Sequence, residues 1–280
     1  MSATMQAKAS SEKAKEEIKP WIRRIGRFGY MSKGVVYALV GILTFMAAIG
    51  VGGKMTGTSG MFRTVASVPF GEFLLWVIGI GVIGYIMWSF IKAIKDPHNK
   101  GKDAKGIVTR IGYAVSGLIY TGLAVNAIQI AMHSGSGGGN TNQTISAMLL
   151  GQPFGRFLVG ALGLIVIGYG IKEFYQGFTE NFMSKFQTSE MDQHERKIAR
   201  NAGKMGLMAR GIVLGMIGFF FTLTAWTADP SETKGLDGAL SELARQPYGS
   251  YLLGAVALGF ILYGIYQMAR GRYQHMSFGK

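Results

Sequence analysis

Asn126, Gln129 and His133 stand three and four residues apart at the end of a long apolar stretch. A helix sets all three on one face. Two amides and an imidazole offer hydrogen-bond donors and acceptors. At membrane depth such groups are costly without a partner. They suit hydrogen bonding between helices, and the alternative is contact with a solute or ion. A second set is charged. Glu72 and Arg156 each lie three residues after a proline, at Pro69 and Pro153. They can pair across a helical bundle, although an interfacial ion pair is a modest contact, and Glu72 also complements the positive end of its own helix. Lys33 and Arg210 each precede a glycine, Gly34 and Gly211. Their long stems fit snorkelling to lipid phosphate. The alternative is an inward-facing basic ring for an anionic solute.

Other residues carry less. His98, His194 and His275 invite a metal reading, but their spacing matches no zinc motif, and no metal or cofactor is expected. No Walker loop, nucleophile elbow or HExxH motif is present. Gly79, Gly81 and Gly84 have dinucleotide-fingerprint spacing, but inside an apolar run they read as helix packing. With no cysteine there is neither a disulfide nor a thiolate site. Enzymatic function is not expected.

The elements that must position these residues are long apolar runs separated by clusters of charge. Hydrophobic residues make up 49% of the 280 and charged residues only 16%. The runs are 34–51, 73–91, 111–132, 157–171, 211–228 and 251–268. Each approaches the roughly 20 helical residues that cross a hydrocarbon core. A cleavable signal peptide does not fit, because its charged leader is too long and its removal takes away a helix that the pattern below requires.

The odd-numbered runs open alike, with Arg27-Phe-Gly-Tyr-Met-Ser-Lys-Gly34, Arg110-Ile-Gly-Tyr-Ala-Val-Ser-Gly117 and Lys204-Met-Gly-Leu-Met-Ala-Arg-Gly211. Small residues follow four and seven positions on, as Ala38 and Gly41, Thr121 and Ala124, Gly215 and Gly218. This stripe predicts close helix packing at Gly34, Gly117, Gly211, Gly41 and Gly218. The even-numbered runs open with Pro69-Phe-Gly, Pro153-Phe-Gly and Pro247-Tyr-Gly. The proline is expected in the first helical turn, where its missing donor is not needed. Tyr85, Tyr169 and Tyr263 come sixteen residues later, and Lys92, Lys172 and Arg270 follow within two turns. Three copies of one spacing are an internal repeat. The Asn126 and Gln129 amides belong to the second copy alone, since the first has Leu43 and Met46 there and the third Phe220 and Leu223.

On these motifs the chain resembles a bacterial membrane family known as domain of unknown function 1206, over residues 20 to 272, including Gly235-Leu-Asp-Gly-Ala-Leu240 before the third proline. The resemblance implies a fold and a location but no catalytic residue. The expected architecture is all-α: six transmembrane helices as three tandem two-helix repeats with pseudo-threefold symmetry. The expected divisions are a charged segment 1–20, repeats at 21–95, 96–178 and 201–272, a polar linker 179–200 and a tail 273–280.

Of the 29 basic residues, 24 fall on the side holding both termini and five on the other. That bias predicts a bacterial plasma membrane protein with both termini cytoplasmic. It also reads the net charge of +14 as contact with an anionic inner leaflet, without nucleic acid. Three parallel repeats around an axis favour a channel or carrier for a small solute or ion. The small-residue stripes and the scarcity of charge in the apolar runs favour a structural or partner-binding role.

Overall fold

A computed structural model describes residues 3–51, 58–95, 104–133 and 141–274. Nine α-helices carry these segments. Six are long: α1 (Ala3–Ala48), α3 (Gly71–Lys95), α4 (Ala104–Ala131), α6 (Gly155–Thr179), α7 (Gln193–Thr227) and α9 (Gly249–Tyr273). Each contains a window of mean hydropathy between 1.5 and 2.1, and 25 residues at about 1.5 Å per residue cross a bilayer core. The protein is a multi-pass membrane protein.

The other three are short and occupy equivalent places in the repeats: α2 (Thr58–Ala66), α5 (Thr141–Leu150) and α8 (Leu236–Arg245). Each leads into the Pro-aromatic-Gly motif, which is built differently from the expectation. The proline precedes the long helix instead of opening it, and the aromatic residue takes the left-handed conformation, with φ of 62° at Phe70, 62° at Phe154 and 61° at Tyr248. Gly71 donates to Val68 O (2.9 Å), Gly155 to Gln152 O (2.9 Å) and Gly249 to Gln246 O (2.8 Å). These are type II turns, with proline at the second position and positive φ at the third. The glycine that follows is needed for space, because an added Cβ would collide with the carbonyl of Val65, Leu149 or Ala244.

The repeats interlock. The tightest packing joins the second long helix of one repeat to the first of the next: α3 with α4, α6 with α7, and α9 back onto α1. Glycines set the approach. A Cβ on Gly34 would lie 2.7 Å from Gly264 O, one on Gly41 2.7 Å from Ala257 O, one on Gly211 2.7 Å from Gly170 O, and one on Gly218 2.7 Å from Gly163 O. Gly117 sits less tightly, 3.1 Å from the Phe90 ring by the same construction. Within repeats, α1 packs on α3 and α7 on α9, whereas α4 and α6 share almost no contact among the described residues.

The ends also depart from expectation. Residues 3–20 continue α1, in keeping with their many alanines, lysines and glutamates. The stretch expected as a linker is partly helix, because Asp192 and Glu195 form a capping box that starts α7 at Gln193. Ahead of it, two 3-10 turns tuck Phe182 and Phe186 against Tyr266, and Gln187 donates to Tyr273 O (2.9 Å). That segment is a packed cap.

Candidate functional site: a buried cage of cations and tyrosines

Lys33 and Arg210 do not reach out to lipid phosphate. They are 3% and 7% exposed and point into the bundle. The azimuth of each helix decides this, since packing Gly34 on Gly264 and Gly211 on Gly170 turns the preceding residue inward. Lys33 Nζ lies 4.6 Å from the Tyr120 ring centre and 4.7 Å from that of Tyr85, and donates to Tyr85 Oη at 3.4 Å. Arg210 donates from Nε to Tyr37 Oη (2.9 Å) and from Nη1 to Glu173. Its guanidinium sits 5.1 Å from the Tyr263 ring centre and 5.8 Å from that of Tyr169.

Two more cations join from the ends of α3 and α9. Lys92 donates to Tyr30 Oη (3.1 Å) and lies 4.5 Å from the Tyr113 ring centre. Arg270 donates to the same Tyr30 Oη (3.2 Å) and to Gln274 Oε1 (3.0 Å). The hydroxyls connect further, with Tyr120 donating to Tyr37 (3.3 Å) and Tyr85 sharing a hydrogen bond with Ser116 (3.1 Å). Cation–aromatic contact offsets part of the cost of burial, about 2 kcal/mol or more per contact when desolvated.

The charge does not balance. Among the described residues the ion pairs include one within the cage, Arg210 with Glu173, while Lys33, Lys92 and Arg270 meet phenols and, for Arg270, the Gln274 amide, with no carboxylate among those partners. A buried charge wants a counter-charge. Acceptors are in surplus too. Ser89, Glu173 and Gln267 occupy one repeat position, four residues after Tyr85, Tyr169 and Tyr263. Among the described residues Glu173 Oε2 and Gln267 Oε1 are buried without a hydrogen-bond partner, while the Ser89 hydroxyl lies within reach of Tyr85. Such groups are ordinarily satisfied.

The residues first singled out lie elsewhere. Asn126 is half-buried with its Oδ1 unpartnered, while Gln129 and His133 are exposed, so the three do not converge on the cage. His133 Nε2 meets Glu72 Oε1 at 3.0 Å. Glu72 therefore takes His133 in place of the expected Arg156, because tight packing of α3 on α4 brings the end of α4 to the start of α3. Arg156 is exposed. Of the three histidines considered for metal, His194 is exposed and His98 and His275 lie outside the described residues. Among the described residues no acidic and histidine side chains converge as a metal site needs.

Sequence reasoning passed over Tyr30, Tyr37, Lys92, Glu173 and Arg270 as a group. A signal was present, since Tyr85 to Lys92 and Tyr263 to Arg270 both span seven residues and share a helix face.

The profile of the family described as Domain of Unknown Function (DUF1206) matches residues 28–96, 111–180 and 205–274. The chain belongs to that family. Each match covers one repeat and, between them, all the cations of the cage. The chain is 45% identical over 268 residues to Uncharacterized protein YxxB of Bacillus subtilis (strain 168), covering 96% of this chain and 97% of the relative. No solved structure matches.

Proposed function

We propose that this DUF1206 protein is a channel or carrier that takes up a small oxyanion in the cage, entering from the side that holds both termini, which the basic-residue bias makes cytoplasmic. The observation that carries the reading is four buried or half-buried cations against one carboxylate. A bound anion supplies the missing charge. Arginine suits planar or tetrahedral oxyanions through its fork of donors, and the orphan acceptors at Glu173 and Gln267 suit a ligand that also carries a hydroxyl or an acidic proton. Hydrogenphosphate has both features. Chloride has only the charge.

The test is melting of the purified chain in a neutral detergent against phosphate, sulfate and chloride, followed by flux into liposomes. Phosphate raises the melting temperature of the wild type, and Arg210→Met together with Lys33→Met removes the rise. Equal response to all three salts, unchanged in the variant, would favour the structural, partner-binding role instead.

A further inference from the structure

The cage is closed on two sides of the pseudo-threefold bundle and open on the third. In repeats 1 and 3 the first glycine of the odd-helix motif is jammed against its neighbour, so that a Cβ on Gly29 would strike the backbone of Tyr85 and one on Gly206 the backbone of Tyr263. At the equivalent Gly112 no described residue lies within 4 Å. Gly168 likewise faces open space, whereas its counterpart Gly84 would meet Ile25 O at 2.8 Å. Tyr169 is accordingly 37% exposed, against 6% for Tyr85 and 1% for Tyr263.

The gap is written in the side chains. Gly81 and Gly259 let Ser32 and Ala209 come close within repeats 1 and 3, and the same position in repeat 2 is Ile165, 60% exposed. Trp88 and Tyr266, buried three residues after their tyrosines, are replaced by the exposed Lys172. A branched side chain and a charge stand where the other two repeats have a contact glycine and a packed aromatic ring.

We infer that the α4–α6 gap is a lateral entrance, and that the oxyanion of the cage is the phosphate of a membrane lipid with a hydroxylated headgroup. This rests on the anion reading above. The gap, open at Gly112 on α4 and walled by Ile165 on α6, takes acyl chain, while Lys172 and Tyr169 stand where the headgroup passes towards Arg210. Free phosphate has no use for an apolar slot. A lipid does, and its headgroup hydroxyls match the orphan acceptors.

The experiment melts the full chain in neutral detergent with dihexanoyl phosphatidylglycerol, with glycerol phosphate and with inorganic phosphate. The short-chain lipid stabilises at concentrations at least tenfold lower than glycerol phosphate, since each buried methylene is worth about fourfold in affinity. Ile165→Trp, and independently Gly112→Trp, fills the gap and abolishes the lipid shift while keeping the phosphate shift. If lipid and glycerol phosphate act at equal concentrations, or if both tryptophan variants keep the lipid shift, the lateral entrance is wrong and the anion site stands. If no probe shifts the wild type, both fall together.

Discussion

Glu173 of α6 accepts a hydrogen bond from Arg210 of α7 through one carboxylate oxygen, and its other oxygen is buried without a partner among the described residues. The pair is the one ion pair found inside the cage among the described residues, and it bridges repeats 2 and 3 at their tightest contact. Removing one partner leaves the other charged and buried. Arg210→Met is therefore expected to cost about 3–5 kcal/mol. Adding Glu173→Met should recover much of that loss, and unfolding in detergent of the two single variants and the double variant measures the recovery.

The glycine contacts predict a graded outcome. Gly211→Leu and Gly34→Leu drive a side chain into a facing backbone carbonyl and should each destabilise by about 1–3 kcal/mol or more. Gly215→Leu, where nothing lies within 4 Å, should leave the melting temperature nearly unchanged. A common loss at all three positions would contradict the packing register of α6 on α7.

Lys185, in the cap before α7, is half-buried. Burial first, and then the charge of Arg270, pull its amine from 10.5 down to about 7. The unfolded chain thus binds more protons than the folded one between pH 7 and 10.5, so stability should rise with pH across that window. Below pH 7 the full cost of the charge is present. Lys185→Met should raise the melting temperature at pH 6 and flatten the rise between pH 7 and 10, read by melting at a series of pH values.

Glu72 and His133 are both exposed, so their contact is expected to contribute about 0–1 kcal/mol. A double-mutant cycle on this pair, with Glu72→Gln and His133→Ala, should give a small coupling. The same cycle on Glu72 and Arg156 should give none.

The spans and the repeat were legible because period and spacing are properties of the chain itself. So was the glycine stripe, since residues seven apart keep one helix face whatever they touch. The cage was not legible. Lys33 sits within three turns of Arg23, Arg24 and Arg27 at the charged edge of the first apolar run, where a lysine can turn towards lipid or inward, and only the docking of Gly34 on Gly264 fixes its direction. Glu173 lies just beyond the fourth apolar run and reads as an ordinary flank until α7 brings Arg210 beside it. The proline motif misled for a similar reason. The aromatic residue after it takes a conformation rare for bulky side chains, which local propensity argues against.

The return of α9 onto α1 has a bearing on how the molecule is made. A ribosome delivers α1 well before α9, yet the glycine face of α1, from Gly34 to Gly41, finds its closest neighbour only in α9. For the whole of synthesis that face rests against something else, whether lipid, α3 or an insertion factor, and a chain truncated before Gly249 leaves it so. Closure of α9 on α1 is then a late event that joins two helices made far apart in time.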